Sequence, residues 1–256
     1  MEIQVLMSTM NQNNNKIIGK SQINNGVIIN QCGKDSKYTV GSSIKWVDSS
    51  SKGLSTSRNL AIQNSNAEIC LLADDDMIYI EKYEDIIKEY FNKLNADIIC
   101  FQVEGIERPF KKYGNKMKNI GYLSALKVSS VEIAFRTESI IQNKLVFDEK
   151  FGSGAIFKMG EENIFLYDAL RKGLKIKYVP LKIADLHLSK SSWFKGFNSE
   201  YLQNRGAVFY RMSKIGHLFL ILQFAIRKRK LFNNMNVVRV FREMFRGAQK
   251  YKKLKN

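Results

Sequence analysis

Three adjacent aspartates, Asp74, Asp75 and Asp76, are the residues of this 256-residue sequence whose types and spacing point most directly to chemistry. They follow a short run, Glu68–Ala73 (EICLLA), that is typical of a buried strand. Adjacent carboxylates at a strand end repel one another, and a divalent cation would relieve that repulsion. Mg²⁺ and Mn²⁺ favour oxygen ligands, and they are often coordinated by protein carboxylates and substrate phosphates together. The pattern predicts a metal-assisted phosphate site, with a solvated acidic turn that caps the next helix as the alternative.

Two further segments carry candidate residues. Upstream, glycine and small polar residues open a predicted helix, Leu54–Asn64, with Ser55 as its cap and Arg58 one turn inside. Free backbone N–H groups at a helix start can bind anions, although an ordinary helix cap has the same composition. Downstream, Glu161 and Glu162 open another predicted helix, where they either act as acid–base groups or stabilise the helix dipole by about 0.3–1 kcal/mol.

The elements that must position these residues alternate between apolar runs and helical patterns. We predict strands at Glu2–Ser8, Val27–Cys32, Ser43–Val47, Glu68–Ala73, Asp97–Val103, Val131–Phe135, Leu174–Val179 and Ile183–Leu188, and helices at Leu54–Asn64, Glu81–Leu94 and Glu161–Lys172. Such alternation indicates an α/β fold with a mainly parallel sheet, in which ligands bind at the carboxyl ends of strands. A loop rich in Lys, Gly and Asn, Gly105–Gly121, interrupts this alternation.

The motifs together resemble the family 2 glycosyltransferases of the GT-A fold. Members of that family have a Gly-Leu-Ser helix start with Arg-Asn, then an apolar strand that ends in a DXD-type motif. The strings GLSTSRNLA and EICLLADDDM are similar to this pattern and stand in the same order. Residues 151–154 (FGSG) and 160–166 (GEENIFL) look like the Gly-Glu-Asp segment that opens the acceptor-side helix. The resemblance covers roughly residues 1–190.

The resemblance implies an inverting, metal-dependent transfer of a sugar from a nucleotide-diphosphate donor, a UDP-sugar, to a saccharide or a polyprenyl-diphosphate-linked saccharide in bacterial surface-glycan synthesis. The implied cofactor is Mn²⁺ or Mg²⁺, held by Asp76 with Asp74 and His187. Glu162 is the implied general base and Glu161 a supporting acceptor contact. We expect further acceptor contacts in the loop Gly105–Gly121. The implied donor contacts are Thr9, Asn30, Gln31, Ser55, Arg58, Asp74, Asp75 and Lys190.

Three positions depart from the family pattern. The segment Gln31–Gly33 (QCG) stands where members usually have an aspartate pair before a glycine, at the position that binds the nucleobase of the donor. The frequent Asp-X-Asp-Asp begins here at Ala73, which leaves open which two of the three aspartates bind metal. Glu162 stands where aspartate is commoner. His187, one of two histidines and flanked by leucines, is a metal ligand or a diphosphate contact by the resemblance, or else a core residue.

The charge of the chain is concentrated at its C-terminal end. There are 41 Lys and Arg against 24 Asp and Glu, a net charge of +17. Residues 205–256 hold fourteen of the basic residues and one acid, Glu243, and so carry +13. Within them an apolar run, Ile215–Ile226, is too short to span a bilayer and is followed by Arg227–Lys230 (RKRK) and a basic amphipathic helix.

We therefore divide the chain into a catalytic domain, residues 1–200, and a basic helical extension, residues 201–256. The extension is expected to be helical from Tyr201 to Ile226 and to attach through residues 215–250 to an anionic membrane, peripherally on the cytoplasmic face of the cell membrane. A helical cap on the core with solvated basic residues is the alternative. No basic flank or cleavage signature marks the first residues, and the three cysteines suit reduced core positions.

Two other functions compete with sugar transfer. A nucleotidyltransferase also pairs an α/β sheet with metal-binding aspartates, but it usually has a glycine-rich basic loop after the first strand, where this chain has Thr9–Asn15 (TMNQNNN). A non-enzymatic nucleic-acid or membrane-binding module would explain the net charge of +13 in residues 205–256, but it would explain neither acidic motif. The sequence also contains no compact nucleic-acid recognition motif. We expect no nucleic-acid partner.

Overall fold

One mixed β-sheet organises the computed structural model, which describes residues 1–188, 196–232 and 235–255. Its strands are β1 Ile3–Met10, β2 Gly26–Gln31, β3 Ser36–Val40, β4 Ile44–Ser49, β5 Ile69–Asp74, β6 Met77–Tyr79, β7 Ile98–Gly105, β8 Lys118–Asn119, β9 Ile133–Arg136 and β10 Ile176–Leu186. They lie side by side in the order β3-β4-β2-β1-β5-β9-β7-β10-β6, and β8 also pairs with β10. The neighbours from β4 to β5 run parallel, as do β7 and β10, while β9 is antiparallel between β5 and β7.

Helices cover both faces of this sheet. They are α1 Lys16–Ser21, α2 Leu54–Asn64, α3 Tyr83–Lys93, α4 Tyr122–Ala125, α5 Thr137–Gln142, α6 Glu161–Arg171, α7 Ser199–Met212, α8 His217–Arg227 and α9 Val237–Lys255, with 3₁₀ turns at Ser130–Glu132 and Arg229–Leu231. Alternate residues of a strand face opposite sides, so Leu6 and Val5 of β1 belong to different apolar clusters. The cluster of Leu6 includes residues of α6 to α9, and that of Val5 includes residues of α1 and α3. The predicted α/β fold with a mainly parallel sheet is confirmed.

Several element predictions need correction. β3 was missed because its side chains are nearly all exposed, which leaves no buried alternation to detect. The two strands predicted at 174–179 and 183–188 form a single strand, β10, whose register with β7 shifts between Tyr178 and Ala184. Pro180 lies in this irregular stretch, and proline has no N–H group for the ladder. Gly53 is the N-cap of α2, so the prediction of Ser55 as the cap was wrong.

The C-terminal helices pack into the same core as the sheet. The continuous helix predicted from Tyr201 to Ile226 is interrupted between α7 and α8, where the Ser213 hydroxyl accepts from the Gly216 N–H. α7 and α9 approach so closely that a Cβ added to Gly206 would lie 1.8 Å from the Met244 carbonyl oxygen. Apolar residues of both helices join the cluster that contains Leu6 of β1 and buried residues of α6. No helix in the described ranges is both long and apolar enough to cross a bilayer.

Candidate active site

The candidate site lies where β1, β2, β4 and β5 end. Parallel neighbours end at the same edge, and ligands of open α/β sheets bind beyond that edge. Asp74 closes β5 in register with Ser8 of β1, while Asn30 and Asp48 are paired at the ends of β2 and β4. The 3₁₀ turn before the antiparallel strand β9 arrives at the same edge and contacts β5. The sheet topology thus brings polar residues from distant parts of the sequence to one side of the molecule.

Arg58 joins the acidic motifs at this edge. Its side chain is 1% exposed, and its guanidinium donates from Nη1 to Glu161 Oε1 at 2.7 Å and from Nη2 to Asp74 Oδ1 at 3.0 Å. The same Nη2 donates to Ser130 Oγ at 2.8 Å. Although burial opposes the charged form, the carboxylates of Asp74 and Glu161 raise the pKa of Arg58. One cation therefore ties α2 to the end of β5, the start of α6 and the turn before β9.

The start of α2 also contacts the FGSG segment. The Leu54 N–H donates to the Ser153 carbonyl oxygen at 2.9 Å, and the Ser55 hydroxyl donates to the Phe151 carbonyl oxygen at 2.6 Å. Gly152, at φ +104°, leaves room here: an added Cβ would lie 3.2 Å from the carboxyl carbon of Glu161. The Leu54 amide and the Ser55 hydroxyl therefore have protein partners, and the donor contact expected of Ser55 stays a prediction.

The three aspartates have different environments. The Thr9 hydroxyl donates to Asp75 Oδ2 at 2.6 Å, whereas Asp76 Oδ1 is buried without a hydrogen-bond partner among the described residues. Burial, together with the charges of Asp74 and Asp75, raises the pKa of Asp76 to about 7. A buried, unpaired oxygen beside two like charges suits a divalent cation, so the donor set is compatible with metal binding.

His187 adjoins the same aspartate through its backbone. The His187 N–H donates to the Asp76 carbonyl oxygen at 2.9 Å, while the imidazole Nδ1 lies 2.9 Å from Glu107 Oε1. Within the described ranges, no three His, Cys, Asp or Glu side chains form a group that could hold a metal ion. The metal set predicted from the sequence, Asp76 with Asp74 and His187, therefore stays a prediction. Phosphate oxygens of a substrate would have to complete the coordination.

Glu162 lies next to the Arg58 network in the first turn of α6. Burial and repulsion by Glu161 raise the pKa of Glu162 to about 8, while the charges of Arg58 and Arg205 act in the opposite direction. A carboxylate with a pKa near neutrality is well matched to accepting a proton at physiological pH. Arg205 comes from α7, and its Nη1 lies 3.5 Å from Asn163 Oδ1, one residue after Glu162. Its role near Glu162 was missed, because Arg205 was grouped with the basic extension.

A polar pocket lies beyond the ends of β2 and β4. Asp48 is buried and accepts hydrogen bonds from Trp46 Nε1 at 2.9 Å and from Asn30 Nδ2 at 2.8 Å. Burial alone would raise its pKa, but these bonds and one from Ser36 lower the pKa of Asp48 to about 2. The adjoining cavity, of about 260 Å³, is lined by Asn11, Gln12, Asn13, Asn14, Cys32, Lys34, Tyr38 and Asp48.

Sequence reasoning missed Asp48, which directly follows the predicted strand Ser43–Val47, as Asp74 follows the predicted strand Glu68–Ala73, and could have been found by that rule. Gln31, which was expected to contact the donor, instead donates from Nε2 to the Gly53 carbonyl oxygen at 3.1 Å. Its donor contact is untested, as are those of Thr9 and Asn30. Lys190, another expected donor contact, lies outside the described residues.

The loop expected to contact the acceptor is anchored at the site edge by another buried carboxylate, that of Glu132. Glu132 is 2% exposed, forms an ion pair with Lys111 and accepts a hydrogen bond from the Tyr113 hydroxyl at 3.0 Å. Burial raises the pKa of Glu132 in spite of the opposing effect of Lys111. The 3₁₀ turn therefore presents Ser130 to Arg58 and Glu132 to the loop. The sequence contained no signal for this pairing.

Comparison with solved structures shows the class of fold. The chain is similar to S. aureus TarS 1-349 in complex with UDP-GlcNAc, with 13% identity and a TM-score of 0.64 over 91% of this chain and 73% of that chain. It is similar to TarS 1-349 over 99% of this chain and 92% of that chain, at 11% identity and a TM-score of 0.62. It is also similar to TarS 1-349 in complex with UDP, at 14% identity and a TM-score of 0.62, over 91% of this chain and 74% of that chain.

These likenesses define a GT-A-like α/β fold. No protein-family model matches the sequence, and no curated protein matches it. At identities this low the similarity establishes the fold alone, so the assignment of an activity depends on the residues of the site.

Proposed function

We propose that this protein is an inverting glycosyltransferase of the family 2 type. It would transfer a sugar from a nucleoside diphosphate sugar, a UDP-sugar, to a hydroxyl of a saccharide or lipid-linked saccharide. The observation that carries the proposal is the Arg58 network, because it brings the acidic end of β5 and the acidic start of α6 to one guanidinium. Sugar transfer needs both parts: stabilisation of the departing diphosphate and a base for the acceptor. The fold shared with TarS, solved with UDP and with UDP-GlcNAc, supports this reading.

Asp76 and Asp74 are the residues that would hold Mn²⁺ or Mg²⁺, with His187 as a further candidate ligand. The buried oxygen of Asp76, which has no protein partner in the described structure, is the observation that favours this set. When bound, the metal would supply positive charge that stabilises the leaving diphosphate. Asp75, held by Thr9, and the pocket beside Asn30 and Asp48 are proposed to bind the nucleoside part of the donor.

Glu162 is the proposed general base. Its carboxylate would accept the proton of the acceptor hydroxyl while the acceptor oxygen forms a bond to the anomeric carbon. The bond from that carbon to the diphosphate oxygen breaks, and the electron pair leaves with the nucleoside diphosphate. A single displacement of this kind inverts the configuration at the anomeric carbon, as in two-carboxylate glycoside chemistry. Glu161, bonded to Arg58, would fix the turn that carries Glu162, and its acceptor contact stays a prediction.

A hydrolysis screen tests the proposal. The protein is incubated with UDP-, GDP-, dTDP- and CMP-sugars in Mn²⁺, in Mg²⁺ or in chelator, and release of the free nucleotide is measured. We expect release from a UDP-sugar that depends on the metal and is nearly lost in Asp76→Ala. Full activity in excess chelator would contradict the metal assignment, and release from none of the sugars would contradict the donor class.

The competing nucleotidyltransferase function is tested in the same assay format. Nucleoside triphosphate and sugar 1-phosphate replace the nucleotide sugar, and pyrophosphate release is measured. Formation of pyrophosphate without hydrolysis of any nucleotide sugar would favour that function. No contact in the described residues favours it at present.

A further inference from the structure

The outer face of α8 is an uninterrupted apolar stripe. Ile215, just before the helix, is 95% exposed, and Phe219 is 69% exposed. The stripe is completed by Leu218, Leu222 and Ile226. These positions recur at helical spacing on one side, while the inner side is buried against α7 and α9. A contiguous apolar face of this kind on a folded chain normally marks an interaction surface.

Basic residues stand at both ends of this stripe. Lys214 precedes it, and Arg227, Lys228, Arg229 and Lys230 follow it, all of them exposed. Within the described part of the chain, none of these five is found in an ion pair. Arg211, three residues upstream of Lys214, shows the contrast: it is bonded to Asp148 and Asp168. The charge flanking the stripe is therefore available to an external partner.

We propose that α8 and its basic flanks, Lys214–Lys230, dock this protein on an anionic lipid surface, with the helix lying in the plane of the interface. Apolar side chains of an interfacial helix penetrate roughly 5–10 Å into the headgroup region, while basic side chains at its ends reach the phosphates. Each basic residue near such a surface strengthens attachment by about fivefold. An apolar stripe with cationic ends and no acidic residue fits both requirements.

Charge argues against a second copy of this chain as the occupant. In a symmetric dimer the same patch meets itself, so the cationic flanks of one α8 would face those of the other. Nothing in residues 205–256 except the buried Glu243 could offset that repulsion. Nucleic acid would use the charge but leave the apolar stripe in water. An anionic lipid surface satisfies both features at once.

The docking helix adjoins the candidate active site through one layer of side chains. The ring of Phe224, on α8, lies 6.0 Å from the guanidinium of Arg205. The positive charge of Arg205 in turn lowers the pKa of Glu162. Docking does not depend on the proposed transferase activity. If that activity holds as well, the acceptor hydroxyl would react on the side of the molecule that adjoins α8.

Vesicle co-sedimentation of the intact chain tests the docking. We expect binding to vesicles of phosphatidylcholine mixed with phosphatidylglycerol and much weaker binding to phosphatidylcholine alone. The double variant Phe219→Glu/Leu222→Glu should weaken binding by roughly tenfold or more, because two large apolar side chains are lost from the interface. Ile141→Glu/Val146→Glu is the matched control, since both residues are about 60% exposed outside α8. This control should bind like the unaltered protein.

A fluorescence measurement separates lipid insertion from a general charge effect. In Phe219→Trp, emission should shift to shorter wavelength on anionic vesicles, whereas in Ile141→Trp it should not. High salt should weaken binding without abolishing it, because apolar insertion is not screened. Negligible binding of the intact protein to both vesicle types would overturn the proposal. So would concentration-dependent dimerisation that Phe219→Glu/Leu222→Glu abolishes while vesicle binding is unchanged.

Discussion

At the carboxyl edge of the sheet, a buried arginine is surrounded by carboxylates, whereas in the C-terminal helices two glycines let helix backbones touch. Arg58 bonds to Asp74 and Glu161 in the first region. In the second, an added Cβ at Gly206 or Gly247 would lie 1.8 Å from a carbonyl oxygen of the facing helix. The first region has several buried charges that must be balanced. The second is packed mainly through apolar surface, and its buried acid, Glu243, accepts a hydrogen bond from Gln203 at 2.8 Å.

The difference separates what the two regions contribute. Clustered carboxylates with raised pKa values, such as Asp76 and Glu162, cost folding free energy and are characteristic of functional sites. The α7–α9 contact instead buries apolar surface and leaves the basic residues of α9 outside. Arg205 belongs to both regions, because it projects from the packed helices toward Glu162. The extension is therefore structurally part of the site, although its positive charge and its apolar run set it apart in the sequence.

The largest expected effect is on catalysis at the sheet edge. Glu162→Gln preserves the size of the side chain but cannot take up a proton, so the turnover rate should fall by about 10²–10⁴. The donor KM should change little, because the donor is proposed to bind at the β5 side. Steady-state kinetics of sugar transfer measure both values. Glu161→Gln is the control: if it loses turnover while Glu162→Gln retains it, the base is the neighbouring residue.

Removal of the central cation should mainly affect stability. Arg58→Met leaves Glu161, 6% exposed, as a buried charge without its partner, and should lower the free energy of unfolding by about 3–5 kcal/mol. Urea denaturation measures this. Arg171→Met is the comparison, because Arg171 is exposed and its ion pair with Asp168 lies at the surface. A change within about 0.5 kcal/mol is expected there. Equal effects of the two variants would show that the Arg58 network is not a buried charge cluster.

The helix contact is tested by a single methyl group. Gly206→Ala forces α7 and α9 apart and should destabilise the fold by about 1–3 kcal/mol or more. Gly19→Ala, in α1, meets no atom within 4 Å and should raise stability by about 0.4–1 kcal/mol, since alanine loses less backbone entropy in a helix. Thermal unfolding of the two variants should move the midpoint in opposite directions. Identical shifts would mean that α7 and α9 do not touch as described.

The smallest expected effect probes the link between the two regions. Arg205→Gln removes a positive charge that favours ionised Glu162, so the pKa of Glu162 should rise further above its value of about 8. The base is active only when deprotonated, so the rise of kcat/KM with pH should move to higher pH, with a loss of a few-fold at pH 7. Arg205→Lys should restore the profile, and Arg242→Gln, an exposed change on α9, should leave it unaltered. A uniform loss of rate without a pH shift would indicate a purely structural role for Arg205.

Much of the fold was predictable because its signals are local. Buried strands such as β5 and β7 are short apolar runs, and the polar residues that follow them lie at the ligand edge by the rule for parallel sheets. β3 escaped prediction because its side chains are exposed, and β10 was split because Pro180 interrupts the pattern. The candidate site was predictable at Asp74–Asp76 and Glu161–Glu162 for the same reason, since acids beside element ends are visible in the sequence.

The sequence by itself determined the alternation of elements, the acidic strand end, the acidic helix start and the excess of positive charge after residue 205. Only the tertiary structure decided that Arg58 bonds both to Asp74 and to Glu161, which lies 103 residues after Arg58 in the sequence. It also decided that Asp48 lies buried beside Asn30, and which side of α8 remains open. The physical reason is the distance along the sequence over which each interaction acts. Periodicity and helix capping depend on neighbours a few residues apart, whereas the partner of a buried charge is chosen by the packing of the whole chain.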